Sequence, residues 1–500
     1  MSIKRYIIQK VAAFTHRYIE RWKSTAVQDQ QDIMKYLVKK AVNTSFGKDH
    51  DFKNIHTYED YKRYVPVRDY EGLRSYVDQI ISGQSDVLWP GKPKYFAKTS
   101  GTTSGVKYIP ITADSMPNHT GTARNAILNY LHQVGNADIF KGKMIFLSGS
   151  PELELKGGIP TGRLSGIVNH EVPNWIRTNQ MPSYSINCIE DWEQKLDLVV
   201  KETLTQDMRL ISGIPPWVQM YYERILEVTG KKTILEVFPN YSLFMYGGVN
   251  FEPYRPKLEA LVGARINSIE TYPASEGFIA FQDDVNDLSL ILNTNSGIFF
   301  EFIPADEVLN ELPSRYQLSE VKKGIDYALI INNNAGLWGY DIGDVVRFTN
   351  LSPYKLLVTG RIKHYISAFG EHVIGKEVEE ALMIVANQQN LEIIEFTVAP
   401  QVTPVDGSTP YHEWFVEFGS LPIDLAKFSK LVDNEMQIQN IYYEDLIKGK
   451  ILQPLIIRLM AKDSFRNYMK DQGKLGGQNK VPRLSNDRKI ADGLQSYILK

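Results

Sequence analysis

Thr99-Ser100-Gly101-Thr102-Thr103-Ser104-Gly105-Val106-Lys107 is the stretch on which the reading of this chain turns. Its glycines let the backbone bend tightly enough to aim amides at an anion, its hydroxyls add donors, and Lys107 adds positive charge. Thr99, Ser100, Gly101, Thr102, Thr103 and Lys107 are therefore candidate phosphate ligands. The order of Gly, Lys and Ser is not that of a Walker loop. Tyr108-Ile109-Pro110-Ile111 follows as a strand, so no helix N-terminus accompanies the loop. A polar hairpin turn is the plainer reading of the same residues.

Upstream, the first ninety residues read mainly as helices, at 28–42, 58–64 and 69–81, after an amphipathic segment over residues 1–24. Downstream, extended runs at 95–97, 108–111, 144–147, 243–246 and 265–272 alternate with helical patterns at 118–133, 190–204 and 216–228. Such alternation predicts an α/β fold with a largely buried sheet. Residues 288–292 and 298–303 read as a hairpin around Asn295-Ser296-Gly297, and 327–332 as another strand. The expected organisation is a large N-terminal α/β domain over 1–360. A smaller α+β C-terminal domain over 361–500 contains helices at 377–390 and 425–436 and strands at 393–399 and 413–418. No internal repeat or low-complexity tract is visible.

The composition is that of an ordinary globular protein: 500 residues, 43% hydrophobic, 23% charged. Lys+Arg 56 against Asp+Glu 58 leave a formal charge of -2. That gives no overall basic field, which argues against generic nucleic-acid or anionic-membrane binding. The single Cys188 excludes an internal disulfide or a multi-cysteine metal site, and the nine histidines lack metal-ligand spacing. No run approaches the roughly 18 apolar residues of a membrane span, and no secretory signal is evident. The expectation is a cytoplasmic protein, monomeric and not integral to a membrane. The basic amphipathic N-terminal segment can touch a membrane surface, although packing on its own domain is the commoner arrangement.

Two further motifs carry acids. Tyr272-Pro273-Ala274-Ser275-Glu276-Gly277 ends an apolar run, where Glu276 can hold Mg²⁺ together with phosphate oxygens; Ser275-Glu276 reads equally as a helix cap. In Tyr340-Asp341-Ile342-Gly343-Asp344, Gly343 permits a bend before a strand, and Asp344 can accept two ribose hydroxyls. Asp341 reads as a solvated acid of a turn.

These three stretches, in this order, resemble those of the adenylate-forming enzymes: acyl-CoA synthetases, luciferases and peptide-synthetase adenylation domains. More closely they resemble the auxin-responsive acyl-acid amido synthetases, the plant hormone-conjugating enzymes and their bacterial relatives. The family's Ser-Ser-Gly-Thr-Ser loop matches Thr99 to Thr103, its Tyr-x-x-Ser-Glu motif matches Tyr272 to Glu276, and its Tyr-x-x-Gly-Asp motif matches Tyr340 to Asp344. Phe299-Phe300-Glu301-Phe302-Ile303-Pro304, Gly360-Arg361-Ile362-Lys363 at the superfamily's hinge, and Gln478-Asn479-Lys480-Val481-Pro482-Arg483 add support. Asp341 departs from the pattern, since many relatives carry Arg there.

The resemblance implies that the 1–360 block is an adenylation domain and 361–500 its mobile partner. A carboxylic acid would attack the α-phosphorus of ATP, giving acyl-AMP and pyrophosphate, and an amine, an amino acid by family analogy, would then expel AMP. Joining two anions makes charge neutralisation and alignment the main catalytic tasks. The implied roles are phosphate contacts from the 99–107 loop, Mg²⁺ on Glu276, the α-phosphate beside Ser275, and nucleotide contacts from Tyr272, Asp344 and Arg361. Lys480 on a Gly-rich tail would bring positive charge to the phosphates. Arg124, on the helix after the loop, is a candidate for the acyl carboxylate. Gly247 and Gly248 are candidates for a backbone shelf under substrate or adenine. An acyl-CoA ligase is the neighbouring alternative; a non-catalytic nucleotide-binding or scaffold protein of the same fold is the alternative from another class.

Overall fold

The computed structural model describes residues 3–99, 106–172, 177–189, 191–248, 251, 254–308, 310–361, 365–366, 368–371, 373–472 and 481–499. The chain divides into two compact units. The larger comprises Met1–Thr99, Lys107–Ile189 and Lys195–Ile362, and the smaller is built mainly from Lys363–Lys500.

Among the described residues of the larger unit, twelve strands join in one sheet. Strand Asn267–Ala274 is its turning point. On one side Leu243–Gly247, Met208–Ser212, Lys143–Phe146 and Gln180–Met181 pair in parallel. On the other side every pairing is antiparallel, through Gly277–Gln282, Leu290–Leu292, Tyr354–Arg361, Tyr340–Leu351, Asp326–Asn333, Ile298–Pro304 and Tyr316–Gln317. Parallel strands require covering helices, and these are punctuated as expected. Helix Pro215–Thr229 opens on proline and closes on Gly230 at φ +65°; helix Met116–Val134 carries Pro117 in its first turn and closes on Gly135 at φ +69°. Separately, Lys107–Ile111, Tyr95–Thr99, Ile159–Gly162 and Glu154–Lys156 form a four-stranded sheet.

Two expectations change. The segments over 1–24 and 28–42 are one continuous helix, Ile3–Ala41, because no Gly or Pro interrupts them. The 288–292 and 298–303 runs are not a hairpin: Leu290–Leu292 lies between Gly277–Gln282 and Tyr354–Arg361, while Ile298–Pro304 pairs with Asp326–Asn333 and Tyr316–Gln317. Both strands are buried and take partners on two edges, so Asn295-Ser296-Gly297 makes a passage between strands. Gly297, at φ +81°, sits where a Cβ would come within 2.5 Å of the Asn334 amide nitrogen.

Trp338, Phe46, Phe52 and Trp89 centre the main core, with Phe52 edge-on to Trp338 at 4.9 Å and Phe46 stacked on it at 5.9 Å. Helix Tyr58–Tyr64, opened by a reciprocal Thr57–Asp60 capping box, is bound to the sheet by polar groups. Buried Glu301 takes hydrogen bonds from Tyr58 Oη (2.9 Å), Asn332 Nδ2 (2.9 Å) and the Arg315 guanidinium. Asn332 Oδ1 accepts in turn from Tyr61 Oη and from the Gly339 N–H.

The smaller unit pairs Ile393–Gln401, Tyr411–Phe418 and Ile456–Leu459, with helices Gly375–Gln388 and Leu425–Gln439 in contact with each other. All eight residues of Tyr411–Phe418 are buried, and its polar members are paired: His412 with Glu371 at 2.9 Å, and Glu413 with Arg458 and Arg488 at 2.7 Å.

Candidate active site

Ser275 and Glu276 form the two-residue turn of a hairpin, with Ala274 paired to Gly277 across it; they do not cap a helix. Two asparagines from other elements fix this turn. Asn118, in the first turn of the Met116–Val134 helix, accepts the Phe278 N–H at 2.7 Å and donates to Ser296 Oγ at 2.9 Å. Asn333 Nδ2 donates to the Glu276 carbonyl at 2.7 Å, and its Oδ1 holds the N–H groups of Ala335 and Leu337. Gly277 is closely packed, since a Cβ there would meet Ile298 Cδ1 at 2.6 Å and displace the end of that side chain.

Asp344 sits on a bulge. Ala328 pairs with Val345 and Ile330 with Asp341, so two steps on one strand face four on the other. Gly343 takes φ +85° within the excess, and its N–H is accepted by Asp341 Oδ1 at 2.8 Å. Asp341 therefore braces the bulge, a role the sequence reading did not give it. Strand pairing starts at Tyr340, ahead of the bend, and continues through it.

The two motifs clasp each other. Each has a tyrosine four residues before its acid, and each tyrosine donates to the acid of the other: Tyr272 Oη to Asp344 Oδ2, and Tyr340 Oη to Glu276 Oε1 at 3.3 Å. Asp344 is 6% exposed. Burial, with the Glu276 carboxylate beside it, pushes the Tyr340 hydroxyl well above its ordinary pKa, so it remains a donor at every working pH. The donor set suits Mg²⁺, which takes one or two carboxylates and fills its octahedron with phosphate oxygens and water. Among the described residues no group of three or more His, Cys, Asp or Glu is placed to hold an ion without such help.

Thr99 and Lys107 face each other in register at the base of the phosphate-loop candidate. Tyr70 supports that base: its hydroxyl accepts the Tyr108 N–H at 3.0 Å, and Lys107 Nζ lies 5.9 Å from its ring centre. Ser100, Gly101, Thr102, Thr103 and Lys480 lie outside the described residues. Arg361 ends its strand opposite Asp344.

The remaining candidates lie on the helix after the loop and at the end of the strand beside Asn267–Ala274. Arg124 is exposed on the helix face that also carries Pro117, Thr120 and Gly121; with Lys94, Ala113, Met116 and Glu171 they line a cleft of about 340 Å³. It makes no hydrogen bond or ion pair with Tyr272, Glu276 or Asp344, and its nearest polar partner is Asn125 at 3.4 Å. Gly247 is needed for strand approach, because a Cβ would meet the Thr271 carbonyl at 2.3 Å, while Gly248 is exposed at φ +82°. Asn118, Asn332, Asn333 and Tyr70 escaped the sequence reading. The run Asn332-Asn333-Asn334 closing an apolar strand was the available signal, since buried amides persist only where they are hydrogen-bonded.

A mixed sheet with a parallel half covered by helices, and an acid-bearing turn directly after the strand where that half ends, defines an α/β fold. Residues 15–182 and 161–265 match the GH3 family N-terminal domain, 291–361 the GH3 family central domain and 376–489 the GH3 family C-terminal domain. The chain belongs to the GH3 family. It is 25% identical over 411 residues to a jasmonoyl–L-amino acid synthetase of Nicotiana attenuata, covering 67% of this chain and 70% of that one. With an indole-3-acetic acid-amido synthetase of Arabidopsis thaliana it shares 22% identity over 548 residues, covering 93% of this chain and 90% of the other. The fold is that of a solved GH3.15 acyl acid amido synthetase, with a TM-score of 0.60 at 17% identity over 96% of this chain and 95% of that one.

Proposed function

We propose that this protein is an ATP-dependent acyl-acid amido synthetase, which converts a carboxylic acid to acyl-AMP and passes the acyl group to an amino acid. The reciprocal clasp is the observation that carries the reading. It brings together two acids from distant parts of the chain, each accepting a hydrogen bond from the tyrosine of the other motif. Such acids are suited to hydroxyl and metal recognition.

In this reading Asp344 receives the ribose hydroxyls, and Tyr272 fixes the carboxylate that does so. Glu276 would hold Mg²⁺, which, when bound, neutralises phosphate charge while the acid approaches. Tyr340 and Asn333 keep the Glu276 turn in place. Ser275 faces the α-phosphate, and Thr99, Lys107 and the loop between them contact the phosphates. Gly247 and Gly248 offer backbone to the substrate, and Arg124 meets the acyl carboxylate. Arg361, opposite Asp344 in the sheet, contacts the nucleotide, and Lys480 adds positive charge from the C-terminal side during adenylation. The enzyme works as a cytoplasmic monomer, with the block after residue 360 rearranging between steps.

Acid-dependent release of pyrophosphate from ATP, measured across a panel of carboxylic acids, tests the first half-reaction. The reading requires at least one acid to stimulate release and Asp344→Ala to abolish it. Acid-independent release, or none with any acid, contradicts it.

A further inference from the structure

The first helix, Ile3–Ala41, has one apolar face that the fold uses and one that it leaves open. Ala12, Ile19, Trp22 and Ala26 are buried along the used face. Gln30 pins that face to the sheet, donating to the carbonyls of Thr294 and Ile298 and accepting the Phe300 N–H, each at 2.8 Å. Lys23 pairs with buried Asp283 at 2.6 Å.

Ile7, Val11, Phe14 and Tyr18 follow a 4-3-4 spacing that gathers them within an arc of about 60°, on a line roughly 100° round the helix from the buried one. They are 54%, 44%, 72% and 41% exposed, and Tyr6 beside them is 55% exposed. The stripe stops abruptly. Eighteen residues further on, the positions of Ile7, Val11 and Phe14 are taken by Thr25, Asp29 and Asp32, and that of Tyr18 by Tyr36, whose ring lies 6.3 Å from Trp89. A helix that only packs on its own body carries polar residues on such a line, as this one does at Thr25, Asp29 and Asp32.

Charge selects the occupant. Lys10, Arg17 and Arg21 are exposed along the edge of the stripe away from the buried face. Residues 3–21 hold Lys4, Arg5, Lys10, Arg17 and Arg21 against Glu20, a net of +4 in a chain whose total is -2. The whole-chain balance therefore hides a local basic segment. A second copy laid stripe to stripe would set these cations against their counterparts, with Glu20 as the single acid to offset them, so self-pairing is repelled. An anionic headgroup layer meets both features: apolar side chains enter the acyl boundary while Lys and Arg reach the phosphates.

We propose that the Ile7, Val11, Phe14 and Tyr18 stripe, edged by Lys10, Arg17 and Arg21, docks this protein on the anionic surface of a lipid bilayer. The attachment is peripheral and reversible, since a short stripe anchors weakly without charge. It shares no residue with the candidate active site and stands independently of the catalytic reading.

The test is flotation of the full chain with phosphatidylcholine vesicles, with and without phosphatidylglycerol, at low and high salt. Binding is expected with the anionic vesicles alone and is expected to fall as salt rises. Phe14→Glu should abolish it. Lys10→Gln with Arg17→Gln should weaken it roughly twenty- to thirtyfold, about fivefold for each cation removed. These positions are exposed, so both variants should unfold at the wild-type urea concentration and keep lipid-free activity. Equal binding to neutral vesicles, no binding to anionic ones, or full binding by Phe14→Glu overturns the proposal. So does a wild-type dimer that Phe14→Glu converts to monomer, because the stripe would then belong to self-association.

Discussion

Replacing Glu301 by alanine isolates the polar junction that carries the Tyr340 strand. Glu301 is fully buried, and the Arg315 side chain against it is 7% exposed with a contact of 2.7 Å. Burial alone would lower the Arg315 pKa, but the carboxylate more than offsets it, and the group is held above its ordinary value. Truncating Glu301 leaves that guanidinium buried and unpaired and removes the acceptor of Tyr58 Oη. Breaking a buried pair in this way costs about 3–5 kcal/mol. The double variant Glu301→Met with Arg315→Met removes both charges and leaves mainly Tyr58 unsatisfied, because Asn332 Nδ2 keeps the Phe299 carbonyl at 3.3 Å. Its cost should be only about 1–3 kcal/mol, less than the single change. Guanidinium unfolding followed by tryptophan fluorescence reads this unit through Trp338 and Trp89 in its core, once Trp414 of the smaller unit is replaced by Phe. A single-variant cost under about 1 kcal/mol, or a double-variant cost equal to the sum of the two singles, would refute the reasoning.

Three further outcomes are expected. Tyr272→Phe, which frees Asp344 from its orienting donor, should raise KM for ATP roughly tenfold or more, in line with about 1.5–3 kcal/mol for a hydrogen bond to a charged group; an unchanged KM removes the clasp from nucleotide binding. Burial pushes His119 down to about 4 from an ordinary 6.5, so the unfolded chain binds the proton first as pH falls. Stability should be complete above pH 6.5 and decline by about 3 kcal/mol toward pH 4, and His119→Phe should flatten that limb in urea titrations; parallel curves for the two proteins would exclude the residue. Lys480→Ala should slow adenylation far more than aminolysis of supplied acyl-AMP, because only the first step gathers phosphate charge; equal losses in separate half-reaction assays would assign the residue a structural role.

The sequence exposed what depends on local pattern. Helix 58–64 is bounded by a capping box written in Thr57 and Asp60, and the 413–418 run was legible as a strand from its aromatic and β-branched centre Trp414-Phe415-Val416, although it begins two residues earlier. The α/β class followed from alternation, and the acids Glu276 and Asp344 from their motifs. What escaped it depends on long-range pairing. Asn295-Ser296-Gly297 carries turn chemistry whether its flanking strands pair with each other or with others, and only the assembled sheet distinguishes the two. The Tyr272–Asp344 bond spans 72 residues and the Tyr340–Glu276 bond 64, so each motif read alone looks like an acid with a nearby tyrosine. Asn118, on a helix 160 residues from the strand it holds, has no local signature. The helix of Arg124 was legible, whereas the cleft that its exposed face lines with Lys94 and Glu171 is formed by distant parts of the chain.

The most direct test of the account is the product formed when the protein is given ATP, Mg²⁺ and an activating carboxylic acid together with either an amino acid mixture or CoA. An amido synthetase gives AMP and an acid–amino acid amide, identified by mass, from the first mixture and no thioester from the second. Thioester without amide would make the protein an acyl-CoA ligase, and nucleotide binding with no product from either mixture would contradict an enzymatic role altogether.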